Sequence, residues 1–302
     1  MAANTSKRNL PADLQELTAR PPLYRLLGVA DKVHGKHLNH VWKGLVGVPG
    51  ANEPALPAVV KHLPNTAQID IELACGLASQ VLGLPVPRPA LVIAELDDLP
   101  SHPASLKDGP VILFGSVFQT PDPFMARYAG QGELGAEHIW SHVCNDKASS
   151  SGSAWDELVA NPDRHAQNLI FDGLKWWLFD HNLALQPVSR LYKAISDSES
   201  QAQLVAHTAK VNQLLDQLVR RRPHDHGIEQ EAQKLARNSQ RLKMLAIEMD
   251  RWVLPPGKLT DIVRAASLIV NLIALRLEPL SMYLAARLKK PDAEALWNGS
   301  TI

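Results

Sequence analysis

Two acids, an asparagine and a histidine stand close together in Asn161–Leu185, NPDRHAQNLIFDGLKWWLFDHNLAL. Asp163 and His165 form an acid–base pair, Asn168 follows on the same stretch, and Asp180 closes its last apolar run. Between them lie apolar Leu169–Phe171, a turn at Asp172-Gly173 and apolar Trp176–Phe179. An Asp-Gly turn between two apolar runs predicts a β-hairpin, which makes Asn168 and Asp180 neighbours. Such a set suits holding Mg²⁺ and a triphosphate while a hydroxyl attacks. Asp163 accepts the proton or hydrogen bond of the hydroxyl, the Asn168 amide oxygen binds the metal, and Asp180 supplies the charged metal ligand. Upstream, Lys61 at the end of the apolar run from Ala58 can reach phosphates, and Glu72 on the next helix can fix it through an ion pair. His165 either orders the loop by hydrogen bonding or takes part in proton transfer. Arg164 either pairs with a carboxylate or phosphate or is an exposed loop arginine.

Stepping outward, strand patterns dominate from Leu23 to Gln119 and helical patterns follow. Leu23–Val33 and Val41–Val48 can pair around a polar link, followed by strands at Ala58–His62, Ala90–Ala94 and Val111–Phe118. The spacing of Ile71, Leu73, Ala74, Leu77, Ala78 and Val81 predicts a helix over Asp70–Leu82, ending at Gly83. Short helices are expected at Glu137–Val143 and Ala154–Ala160, with SSSGS at 149–153 as a flexible link. Three long helices are expected at about 197–222, 228–252 and 258–289, with Pro279 kinking or dividing the last. Of Trp176 and Trp177, alternation puts one in the core and the other under a neighbouring loop. These patterns divide the chain into a tail (1–22), a strand-rich part (23–119) and a helix-rich part (120–302).

The segment Asn161-Pro-Asp-Arg-His-Ala-Gln-Asn-Leu169 with Trp177-Leu-Phe-Asp180 resembles the catalytic core of HipA-like kinases. It is also similar to the Asp-Arg-His-x-x-Asn pattern of phosphatidylinositol kinases. The resemblance extends to Val59-Val-Lys61 and to Glu72-Leu-Ala…Leu82-Gly-Leu-Pro-Val-Pro87, and so covers residues 23–185. It implies an α+β, two-lobed protein-kinase-like fold with a strand-rich N-lobe and a helical C-lobe. It also implies ATP and Mg²⁺ as cofactors, with Asp163 as the catalytic acid–base residue and Asn168 and Asp180 on the metal. Lys61, paired with Glu72, would contact the ATP phosphates, and Phe114–Gln119 would form the hinge against adenine. The implied activity is a serine/threonine protein kinase acting on a protein phosphoacceptor. HipA-like proteins are often growth-arrest toxins or stress regulators, so an antitoxin-like regulator is a further implied partner. Two departures stand out. The loop Val33-His-Gly-Lys-His-Leu-Asn39 has one glycine, Gly35, where kinases often have several, although Lys36 adds charge there. His181 follows Asp180 where ordinary kinases carry Phe-Gly. The alternatives are a non-catalytic kinase-like scaffold that binds nucleotide or protein, or a kinase for lipid or small-molecule hydroxyls. No basic membrane-facing run accompanies the site to favour lipid.

Composition narrows the class. The chain has 302 residues, 45% hydrophobic and 21% charged, as expected of a soluble globular protein. Lys+Arg and Asp+Glu both total 31, so no bulk charge draws it to nucleic acid or anionic membrane. Two cysteines, Cys75 and Cys144, give no disulfide framework and fit a reducing compartment. The first 22 residues do not read as a secretory signal, and the most apolar run, Ala265–Leu275, is too short to span a bilayer. Cytoplasmic and soluble is the expectation. His34, His37 and His40, or His138, His142 and Cys144, are the candidate Zn²⁺ sets, neither with paired Cys-x-x-Cys spacing. Arg220–Arg222 reads as a solvated helix end.

Overall fold

The computed structural model describes residues 10–33, 39–106, 109–196 and 211–289. It is a mixed α/β chain whose strands gather in the first half. β1 (Leu23–Leu26), β2 (Asp31–Lys32), β3 (His40–Gly47), β4 (Leu56–His62), β5 (Pro89–Ala94) and β6 (Val111–Val117) form one sheet in the order β1-β5-β6-β4-β3-β2. β1 runs parallel to β5 and also pairs antiparallel with β3, Arg25 opposite Gly47, so the sheet curls round and meets itself. Trp42, Val46, Ala58, Val60, Val92 and Leu113 fill the inner face. Because side chains alternate along a strand, burial of Ala58 and Val60 on that face puts Lys61 on the other.

That other face receives α2 (Thr66–Leu82). The Asn65 side chain caps its start by accepting from the Ala67 N–H at 3.0 Å, and Gly83 ends it in the left-handed conformation at φ 67°. The helix therefore starts earlier than the Asp70 expected from its apolar spacing. Gly76 is needed where α2 crosses the start of β5, since a Cβ there would lie 2.7 Å from Pro89 Cβ.

Helices dominate the second half: α3 (Pro123–Ala126), α4 (Gly132–Val143), α5 (Ala148–Leu158), α6 (Val188–Ser196), α7 (Gln213–Arg221), α8 (Ile228–Ala236), α9 (Ser239–Met249) and α10 (Lys258–Lys289). A short α1 (Ala12–Thr18) buries Leu14, and Trp252 donates its indole N–H to the Thr18 carbonyl. One continuous apolar cluster joins α2, Leu91 and Phe114 of the sheet, and the helices, including Trp155, Leu214, Leu242, Ile269 and Ile273. No helix among the described residues is long and apolar enough to cross a membrane.

Three expectations are corrected. The Ser-rich stretch at 149–153 is not a link but the first half of α5. Its small side chains let Leu178 and Leu214 close on Gly152, where a Cβ would meet them at 3.0–3.1 Å. Ser149, Ser150 and Ser153 are buried there, and the Ser150 hydroxyl donates to the His226 carbonyl at 2.5 Å. The stretch 228–252 is two helices, broken at Arg237-Asn238, and Pro279 does not divide α10, which continues through it. Most of the helix expected at 197–222 lies outside the described residues, with α7 at its end.

Candidate active site

The hairpin forms as β7 (Leu169–Phe171) and β8 (Trp176–Leu178). Its turn spans four residues rather than two. The Asp172 carboxylate accepts the N–H groups of Leu174 and Lys175 at 2.8 and 2.9 Å, and Gly173 takes φ 93°. Trp176 is the buried member of the tryptophan pair, while Trp177 donates to Asp172 and carries the Lys175 ammonium over its ring. At the open end the Phe179 N–H donates to the Asn168 carbonyl at 3.3 Å, so the backbones bearing Asn168 and Asp180 meet as expected.

Three charged groups converge from distant elements. The Lys61 ammonium bonds to Glu72 Oε1 of α2 and, at 2.7 Å, to Asp180 Oδ1. The side chains are 13% exposed for Lys61, 3% for Glu72 and 32% for Asp180. Burial would by itself lower the Lys61 pKa, but the two facing carboxylates outweigh it and raise it. Two acids share that one ammonium, and they divide unequally. Burial pushes the deeper Glu72 upward, whereas Lys61 holds the more open Asp180 below its ordinary value against its own desolvation.

Behind this triad, the loop before the hairpin is built on Arg164. The reading of Arg164 as an exposed residue is overturned, because it is fully buried. Its guanidinium forks onto Asp156 of α5 at 2.9 and 3.0 Å. It also donates to the carbonyls of Asn168 and Phe179, the two residues where the hairpin closes. His181 receives a further contact from Arg164 and one from the Trp155 indole. Asp163 and His165 lie at the half-open front, with His165 Nε2 3.9 Å from Asp163 Oδ2. The Asp163 carbonyl accepts the His165 N–H and, at 2.8 Å, the Asn168 side-chain amide.

Gly35 and Lys36, with His34 and His37, lie outside the described residues. His40 sits across from His62 in the β3–β4 ladder. His138 stacks on Tyr128, and His142 Nδ1 accepts from the Trp176 indole at 3.2 Å. The Cys144 thiol is buried and pushed up to about 11. Among the described residues no group of three His, Cys, Asp or Glu side chains gathers as a metal site. Of the basic run, Arg220 and Arg221 pair with Glu137, and Arg222 pairs with Asp225.

Sequence reasoning missed Asp156 and the buried Asp70. Asp156 falls within the helix expected at Ala154–Ala160, but nothing in that pattern marks its carboxylate as buried. Asp70 precedes Glu72 on α2, is 4% exposed, and accepts the Tyr192 hydroxyl of α6 at 3.2 Å, while its Oδ1 has no partner. Burial raises its pKa from 3.8 to about 7, against the Tyr192 hydrogen bond. The folded state therefore holds this proton more tightly than the unfolded chain, and stability is lost as pH rises from 3.8 through 7. Asp70→Asn, which keeps an acceptor for Tyr192, removes that loss. Between pH 5 and pH 8 the wild type is expected to lose about 2–3 kcal/mol more than the variant. Urea unfolding of both proteins at the two pH values measures it, and parallel pH dependences would reject a neutral Asp70.

No family model and no curated protein matches the chain. Among solved structures it is similar to "Crystal structure of A Helicobacter pylori proinflammatory kinase CtkA", at 12% identity and a TM-score of 0.48. The match covers 85% of this chain and 98% of that one. At that identity no residue of this chain takes its role from the likeness.

Proposed function

We propose that the protein is an ATP- and Mg²⁺-dependent phosphotransferase of HipA-like type, acting on serine or threonine hydroxyls of a protein. The observation that carries this reading is the meeting of Lys61, Glu72 and Asp180 beside the Asp163–Asn168 loop. In this reading residues 23–119 and 120–302 act as two lobes. ATP lies between them, with the stretch around Phe114–Gln119 against adenine. Lys61, kept charged by its two acids, holds phosphate. Asp163, at the front of the loop, orients the acceptor hydroxyl and takes its proton.

The residues fit Mg²⁺. Asn168 and Asp180 offer hard oxygen donors. The bond from the Asn168 Nδ2 to the Asp163 carbonyl fixes the amide so that Oδ1 is the atom left for a cation. Mg²⁺ held there would neutralise charge on the phosphates.

The test pairs a thermal-shift titration with ATP, with and without Mg²⁺, and transfer of labelled γ-phosphate into proteins of a host lysate. The expected result is metal-dependent stabilisation together with a labelled acceptor. Asp180→Ala should lose the Mg²⁺-dependent part of both signals, and unchanged metal dependence would remove Asp180 from this role. Binding without turnover would assign a nucleotide-binding scaffold, and no binding by folded protein would reject both readings.

A further inference from the structure

We propose that His181 is a positioning residue that fixes the Asp180 carboxylate by serving, through Nε2, as a neutral acceptor for two buried donors. Its consequence for metal and nucleotide rests on the phosphotransferase reading, whereas the contact itself does not. Trp155 Nε1 lies 3.0 Å from His181 Nε2, and Arg164 Nη2 lies 2.9 Å from it. An indole N–H and a guanidinium can only donate, so Nε2 must accept, and the ring proton sits on Nδ1. The ring is 1% exposed, which leaves those donors no route to solvent.

These contacts bracket Asp180. On one side the Phe179 carbonyl is held by Arg164 and its N–H by the Asn168 carbonyl. On the other, the His181 side chain is held by the same guanidinium and by α5. Asp180 itself has φ 63°, in the left-handed region that few non-glycine residues adopt, aspartate more readily than most. The anchored His181 ring fixes the chain on the C-terminal side of that residue. Phenylalanine there would keep a ring of similar shape but leave the Trp155 and Arg164 donors without an acceptor. Asp180 could then relax and release Lys61.

Acetylation of Lys61 by an amine-acylating reagent, followed by peptide mass spectrometry, reads this directly, because Lys61 is shielded by Glu72 and Asp180. In the full chain, His181→Phe is expected to speed Lys61 acetylation about fivefold, the size of one lost ion-pair contact. His181→Gln, whose amide oxygen can replace Nε2 as acceptor, should stay near the wild-type rate. The same variants titrated with Mg²⁺ and ATP should show the metal-dependent thermal shift lost for Phe and kept for Gln. If His181→Phe does not fold, His181→Leu, slimmer and equally without an acceptor, takes its place. Equal acetylation in all proteins, or equal acceleration by the Phe and Gln substitutions, overturns the proposal. A wild type with no response to Mg²⁺ and ATP would instead reject the phosphotransferase reading, and the acetylation rates would still decide the role of His181.

Discussion

Asp163→Ala is expected to cut phosphoryl transfer by about 10³-fold, within the range typical of a positioned acid–base group, while leaving binding of ATP and Mg²⁺ nearly intact. The separation follows from where the side chain sits. The Lys61–Glu72–Asp180 triad makes no contact through the Asp163 carboxylate, which lies half-open at the front of the loop. What ties Asp163 to Asn168 is its backbone carbonyl, and alanine keeps that carbonyl. Single-turnover transfer and a thermal-shift titration on the same preparation test the prediction. Equal losses in both would make Asp163 a structural residue. His165 is separable by the same assays. If it orders the loop rather than moving a proton, His165→Asn should cost far less than Asp163→Ala.

Arg164→Leu is expected to be the most destabilising single change at the site. Removing one partner of a buried ion pair leaves the other charge uncompensated, at about 3–5 kcal/mol. Here the abandoned charge is Asp156, itself fully buried, and its remaining side-chain partner is the Asn161 amide at 3.1 Å. The carbonyls of Asn168 and Phe179 lose a donor as well, each at about 1 kcal/mol or more. Against a total stability of typically 5–15 kcal/mol, this is a large fraction. The companion measurement is Asp156→Leu combined with Arg164→Leu, because two apolar side chains abandon no charge. Unfolding should show the double variant regaining stability over Arg164→Leu, while nucleotide binding stays weak because Asn168 and Asp180 have lost their shared anchor. A wild-type melting temperature for Arg164→Leu would show that the pair holds nothing.

The placement of Asp163, Asn168 and Asp180 was legible because these residues are local in sequence. Asp163 and Asn168 lie on one short loop, an Asp-Gly turn brings Asp180 back to them, and a lysine after an apolar run precedes a helix with an acid on its first turns. Lys61 and Glu72 are paired as that pattern suggested. The layer behind them was hidden because its partners are set by packing. Nothing about Asp156 or Arg164 separately says that they meet in the core. A run of serines around a glycine favours turns and links by propensity, and α5 forms there because Leu178 and Leu214 need that close approach. His181 was noted only as a departure from a familiar pattern. Its partner Trp155 lies 26 residues earlier, on the helix expected at Ala154–Ala160, and nothing in the sequence links the two. In the fold, strand and helix positions followed from alternation and periodicity, whereas the closure of β1 onto β3 has no local signature.

That closure bears on how another chain could attach. An open sheet offers its outermost strand as a template for a visiting extended segment. Here β1 is flanked by β5 on one side and β3 on the other, so the outer edge among the described strands is that of β2. β2 is two residues long and carries one charge of each sign, Asp31 and Lys32. Short charged edges of this kind discourage strand addition. A substrate or regulator is therefore expected to read side chains on helices and loops, and the sheet is guarded against indiscriminate edge-to-edge stacking with other copies of itself.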